Sequence, residues 1–173
     1  MRNSMKVLLL ALLLLPSLAF GTAQMPDGLL YEGKKESIFS TPLEDYFSAN
    51  NNRPAWLTMT NTACWRGYVA EWEIRDERLF LTKVTRDDFD PKKEEIIVDD
   101  ISERLFPKQK WPIEATWFTG VIRVPEGKQL EYVHMGFESV YEKDKFLHFE
   151  KGVLVKVVVK NNAPAPGSKA SRP

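Results

Sequence analysis

One cysteine and two histidines in 173 residues remove several chemistries at once. No His-x-x-x-His or Cys-x-x-Cys spacing occurs, so neither a structural nor a catalytic zinc site is expected, and nothing calls for a cofactor. There is no Gly-x-x-x-x-Gly-Lys-Ser/Thr loop to cradle phosphates and no Gly-x-Gly-x-x-Gly turn for a dinucleotide. Ser139 lies in Gly136-Phe-Glu-Ser-Val140, which is not a nucleophile elbow. The acidic run Asp87-Asp-Phe-Asp90 lacks the alternate spacing and central glycine of a calcium loop and reads as a solvated turn. Cys64 has no partner for an intramolecular disulfide; beside Ala63 and Trp65 it reads as a small buried hydrophobe. Asn61-Thr-Ala63 fails as a glycosylation sequon at its third position.

An excess of positive charge is missing too. Lys and Arg number 24 against 24 Asp and Glu, which argues against a nucleic-acid binder or a polybasic membrane-surface protein. The zero sum hides an asymmetry. Removing Arg2 and Lys6 with the N-terminal segment leaves 22 basic residues against 24 acidic, and discounting Lys169 and Arg172 leaves 20 against 24. The central part of the chain therefore carries a net −4.

Long apolar runs are confined to the start. Arg2 and Lys6 precede Val7–Leu15, Pro16 breaks the run, and small residues follow at Gly21-Thr-Ala23 and Ala19-Phe-Gly21. This is the layout of a secretory signal peptide over residues 1–23, with cleavage after Ala23 or Gly21; the apolar stretch is short for a membrane span. An exported protein, periplasmic or secreted, with no stable membrane insertion after cleavage, is the expectation. Residues 161–173 contain no large apolar side chain and read as a disordered tail. A single domain is left over 24–160.

The composition of that domain, with 43% hydrophobic residues across the chain, suits one folded core. Thr41-Pro42-Leu43-Glu44 has the form of a capping box opening a short helix, with Leu43 and Phe47 on one face. Tyr68–Ile74 alternates Ala70, Trp72 and Ile74 with Glu71 and Glu73, the period of a half-buried strand, and Leu79–Thr85 returns as its hairpin partner. A loose charged stretch over 86–95 and a short strand over Ile96–Val98 follow. Asp100-Ile-Ser-Glu103 predicts a second short helix stopped by Pro107. Ile113–Val124 reads as one strand bent at Gly120, Val124–Gly127 as a type I turn, and Leu130–Phe137 as a further strand. Phe146–Phe149 and Val153–Val159 close with a hairpin in which Val153, Val155, Val157 and Val159 form an apolar face. Six or seven strands and two short helices predict a mostly β fold, a single antiparallel β domain that is either a barrel or a sandwich.

Two groups of residues are candidates for function. Tyr132–Glu142 gathers His134, Glu138, Tyr141 and Glu142, and an imidazole beside a carboxylate is a general acid–base pair; a His satisfied inside the fold is the competing reading. Trp56, Trp65 and Trp111 lie outside the alternating strands and are candidates to stack on sugar rings or fill a partner's pocket, whereas Trp72 and Trp117 read as core. Arg66, next to Trp65, is a candidate carboxylate ligand.

Tyr31-Glu-Gly-Lys34, Pro42–Phe47, Trp65–Ile74, Leu105-Phe-Pro107, Trp117-Phe-Thr-Gly120 and Tyr132–Glu142 occur in this order. Together they resemble a family of small uncharacterised bacterial proteins, over Leu29 to Val159; the Trp-Arg-Gly-Tyr and Tyr-Val-His-Met-Gly segments are its most specific. The resemblance implies a single bacterial domain and carries no catalytic residues. Three functional readings stand: an exported domain binding an envelope protein or glycan, a small hydrolase or lyase using His134 with Glu138 or Glu142, and an inhibitor or immunity-type protein of a secreted enzyme.

Overall fold

The computed structural model describes residues 22–134 and 136–163. The signal-peptide reading thus falls almost wholly outside the described residues. Among them, no helix is long and apolar enough to cross a membrane.

Nine strands form one open, mixed sheet, so the fold is mostly β and is not closed into a barrel. In chain order they are β1 (Asp27–Tyr31), β2 (Lys34–Ile38), β3 (Val69–Arg75), β4 (Arg78–Asp90), β5 (Glu95–Asp100), β6 (Ile113–Glu114), β7 (Gly120–Glu131), β8 (Val140–Glu150) and β9 (Val153–Asn161). The main path runs β2-β1-β3-β4-β9-β8-β7, with β5 and β6 also paired to β4. Three hairpins close through two-residue turns with both residues at positive φ: Glu32-Gly33, Asp76-Glu77 and Lys151-Gly152. Such turns match the right-handed twist of the strands they join.

One pairing departs from the antiparallel expectation. β1 lies parallel to β3, with Gly28 opposite Glu71 and Leu29 opposite Trp72. The intervening crossover holds β2, the helix α1 (Pro42–Asn50) and a long loop. Pro42 occupies the first turn of α1, and Leu43 and Phe47 are buried as their spacing predicts. Thr41, however, makes no side-chain cap; Glu44 turns its carboxylate to Arg53 and Tyr68 instead. The second helix, α2, is a single turn over Ser102–Leu105, with Asp100 accepting from the Ser102 amide at 3.0 Å.

Four further expectations are corrected. The charged stretch after Thr85 is strand: β4 continues to Asp90 and pairs with β5 from Thr85–Asp100 to Asp90–Glu95. None of its side chains beyond Thr85 is buried, so the segment lacks the alternation that marks a half-buried strand. The region from Ile113 to Val124 is two strands, separated by a turn in which Phe118 donates its amide to Ala115 at 2.9 Å. Val124–Gly127 does not reverse the chain. Gly127, at φ +80°, absorbs a register shift inside β7, and the Glu142 carboxylate accepts from the next amide, Lys128, at 3.0 Å. Lastly, β7 stops at Glu131, and residues 132–134 and 136–139 belong to no strand, Gly136 making only an isolated bridge to Ala23.

The core gathers Leu29, Trp72, Leu81, Val84, Ile122, Leu147 and Phe149 from the sheet with Leu43 and Phe47 from α1. The valine row of β9 does not join it. A bulge between His148 and Phe149 shifts the register, Leu154 packs on the core, and Val155, Val157 and Val159 remain exposed. The strand also extends to Asn161, and Asn162 bonds Tyr141 and Asp144, so the start of the expected tail is anchored; residues 164–173 lie outside the described residues.

Candidate functional site

The parallel pairing of β1 with β3 sets Asp27 beside the end of the crossover loop. Its side chain is fully buried and accepts three N–H groups: Arg66 Nη2 at 2.7 Å, the Ala70 amide at 3.0 Å and Trp72 Nε1 at 3.1 Å. Burial pushes the Asp27 carboxyl above the ordinary carboxylate range, while the Arg66 charge and the N–H donors oppose that shift. Three donors and no acceptor around the carboxylate fit the ionised form. The Arg66 side chain is only 7% exposed, lies 5.3 Å over the Tyr68 ring, and has no partner for its buried Nε.

A second polar pair adjoins the first. Arg53 Nη1 reaches both oxygens of Glu44 at 2.7 Å, and its Nη2 donates to the Arg66 carbonyl at 2.5 Å. The Tyr68 hydroxyl donates to Glu44 at 2.8 Å. Burial first, then the charges of Asp27 and Glu44, hold the Tyr68 hydroxyl well above its ordinary value, so it stays a donor. Gly67 makes this loop geometry available: at φ +75°, a Cβ there would stand 2.0 Å from the Thr58 carbonyl oxygen.

With Arg66 packed inward, its neighbour Trp65 is turned outward. The indole is 54% exposed, and the Trp65 amide is tied to Gln24 Oε1 at 3.1 Å. A cleft of about 440 Å³ opens here, lined by Trp65, Arg66, Arg53, Glu44, Gln24 and Phe137. An aromatic face beside amide, guanidinium and carboxylate groups can stack on one side of a ligand and hydrogen-bond its edge.

The other candidates are dispersed. Trp56 stacks under Arg104, whose guanidinium carbon lies 3.8 Å from the ring centroid. Trp111 packs edge-on against Phe106 at the margin of the core, and its Nε1 is buried without a partner. His134 Nδ1 shares a 2.7 Å hydrogen bond with the Tyr132 hydroxyl, both side chains being exposed. Glu142 accepts from the Lys128 amide, Tyr141 donates to Gln129 at 3.2 Å, and Glu138 is exposed. Among the described residues, no group of three His, Cys, Asp or Glu side chains is placed to hold a metal.

No family model, no curated protein and no solved structure matches this chain.

Asp27, Arg53, Glu44 and Gln24 escape sequence reasoning as site residues. Asp27 belongs to a five-residue strand without clear alternation, and Arg53 lies in a polar, asparagine-rich stretch. Arg123 escapes it as well. It donates to Asp144 at 2.7 Å and to the carbonyls of Phe137 and Ser139 at 2.7 and 2.8 Å, and so holds the segment that bears His134 and lends Phe137 to the cleft.

Proposed function

We propose that this chain is an exported bacterial binding domain that holds a glycan of the cell envelope in the Trp65 cleft. The half-exposed indole of Trp65, fixed at the cleft by buried neighbours, carries the reading. Sugar rings present a flat C–H face that stacks on an exposed indole, and here the indole stands at a cleft whose rim is polar. Arg53, Glu44 and Gln24 supply both donors and acceptors along the same rim, which suits hydroxyls. Export rests on the N-terminal segment of residues 1–23.

Calorimetric and tryptophan-fluorescence titration with soluble envelope glycans tests it. We expect a Kd on the order of 10⁻⁴ M for one glycan class, weakened about tenfold or more by Trp65→Ala. Absence of binding to every glycan at about 5 mM, or equal binding by Trp65→Ala, rejects the reading. Capture of a protein ligand that competes at Trp65 would assign the cleft to a protein partner instead.

A further inference from the structure

Of the strands with an unpaired edge, β5 and β9 are the two whose edges match. Among the described residues β5 pairs only with β4. β9 pairs with β8 along its length but meets β4 only at Val153–Arg78, next to the Leu154 amide bonded to the Glu77 carbonyl. Both edges carry aliphatic side chains in water: Ile96 and Val98 are 70% and 62% exposed, Val157 and Val159 43% and 53%. Edges with free backbone donors and acceptors are templates for pairing, and charged residues usually blunt them. Here the blunting charges are opposite in sign and equal in spacing. β5 bears Glu95 and Asp99; β9 bears Lys156 and Lys160.

We propose that β5 of one molecule pairs with β9 of another copy, in the antiparallel sense, with Lys156 opposite Asp99 and Lys160 opposite Glu95. The same register sets Val157 against Val98, Val158 against Ile97 and Val159 against Ile96. Because side chains alternate between faces, the four exposed aliphatic residues fall together on one face and both ion pairs on the other. A slip of one residue keeps only one of the two ion pairs, Lys160 with Glu94 or Lys156 with Asp100, sets the other lysine against Val98 or Ile96, and parts the exposed aliphatic rows onto opposite faces. The parallel match has the same spacing, but the antiparallel ladder is the more stable per residue.

The charges also disfavour the self-pairings. β9 carries no acidic residue and β5 no basic one, so neither forms an ion pair with itself; β9 paired about Val158 opposes Lys156 to Lys160, and β5 paired about Ile97 opposes Glu95 to Asp99, and like charges directly across a ladder destabilise it. The contact is therefore heterologous, and every added molecule presents one open edge of each kind, so assembly proceeds beyond two copies. Neighbouring groups limit the ladder rather than prevent it. Asp76 and Glu77 share a cleft with Val155 and Lys156 and oppose extension toward Asp100. The present partner of Glu95 is Lys93 at 3.6 Å, an exposed pair that exchanges at little cost.

Light scattering on the full chain, from about 10 µM to 1 mM at low salt, tests this; a ladder of this size corresponds to a Kd on the order of 10⁻⁴ M. The weight-average mass is expected to rise at least about twofold over that range and to fall back at high salt. Lys156→Glu/Lys160→Glu and Glu95→Lys/Asp99→Lys are each expected to remain monomeric. Mixed in equal amounts, the two variants are expected to assemble again, because each then offers the charges that the other requires. All four substituted side chains are exposed, and recovery on mixing shows that both variants are folded. A wild-type mass that stays monomeric, a variant that assembles like the wild type, or a mixture that stays monomeric overturns the proposal. A mass that stops at two copies and ignores the charge reversals identifies a different contact and overturns it equally.

Discussion

Replacing Asp27 by Asn tests the centre of the site, because it changes charge without changing shape. The wild-type carboxylate accepts from Arg66, Ala70 and Trp72 and has no solvent exposure. In the variant the amide oxygen can still face Arg66 and Ala70, but the amide nitrogen confronts Trp72 Nε1, donor against donor. That leaves one buried N–H unsatisfied, about 1–3 kcal/mol, and a guanidinium 93% buried without its counter-ion. Breaking one side of a buried pair costs about 3–5 kcal/mol. Neutralisation also removes the burial penalty that pushes the Asp27 carboxyl up, which offsets part of the loss. We expect a net loss of about 3–4 kcal/mol, a large share of a typical stability of about 5–15 kcal/mol. The assay is urea unfolding followed by tryptophan fluorescence, with calorimetry for Tm, which should fall by roughly 10–15 °C.

Arg66→Met gives the converse. Its Asp27 can take up a proton, whereas arginine cannot release one. Loss of the arginine raises the folded-state value of Asp27 further above the unfolded one. The variant's stability relative to wild type should therefore improve as pH falls through that raised value and level off once pH passes below the wild-type folded-state value of Asp27. The double variant Asp27→Asn/Arg66→Met removes both charges and should recover most of the loss. An Asp27→Asn protein within about 1 kcal/mol of wild type, or single losses that simply add in the double variant, refutes the reasoning.

Two further outcomes follow from the same loop. Tyr68 has its ionisation raised in the fold, so its contribution is complete below about pH 10 and is lost as pH climbs from there toward the folded-state value. Tyr68→Phe should cost about 1 kcal/mol at neutral pH and flatten the alkaline limb of the Tm profile; parallel profiles for the two proteins would contradict this. Gly67→Ala should cost more than about 3 kcal/mol, because its Cβ meets the Thr58 carbonyl, whereas Gly33→Ala, with φ +74° and nothing within 4 Å, should cost only about 1 kcal/mol. Equal losses in urea unfolding would show that backbone contact at Gly67 is not the cause.

The elements that emerge cleanly from the sequence are those whose two faces differ. Trp72 and Ala70 against Glu71 announce β3, and Pro42 in the first turn with the four-residue spacing of Leu43 and Phe47 announces α1. Strands exposed on both faces carry no such contrast, which is why the part of β4 beyond Thr85 reads as a loose stretch and only Ile96–Val98 of its partner β5 reads as strand. A bulge is equally silent, since one inserted residue turns the valine row of β9 into solvent without altering its pattern. Of the candidate residues, Trp65 and Arg66 share one cleft because they are adjacent in the loop, while Trp56 and Trp111 are taken up elsewhere by packing.

By itself the sequence determined a mostly β chain of balanced charge, short on metal ligands, with two small helices and Trp65 beside Arg66. Periodicity, capping and composition are local properties, and they are legible locally. The tertiary structure alone decided that Asp27 anchors Arg66 across 39 residues, and that Glu44 binds Arg53 and Tyr68 rather than capping its own helix. It also decided that β5 and β9 end as open edges. Each depends on which strands lie side by side, and a parallel crossover or a register shift is set by the packing of the whole core, not by any window of residues.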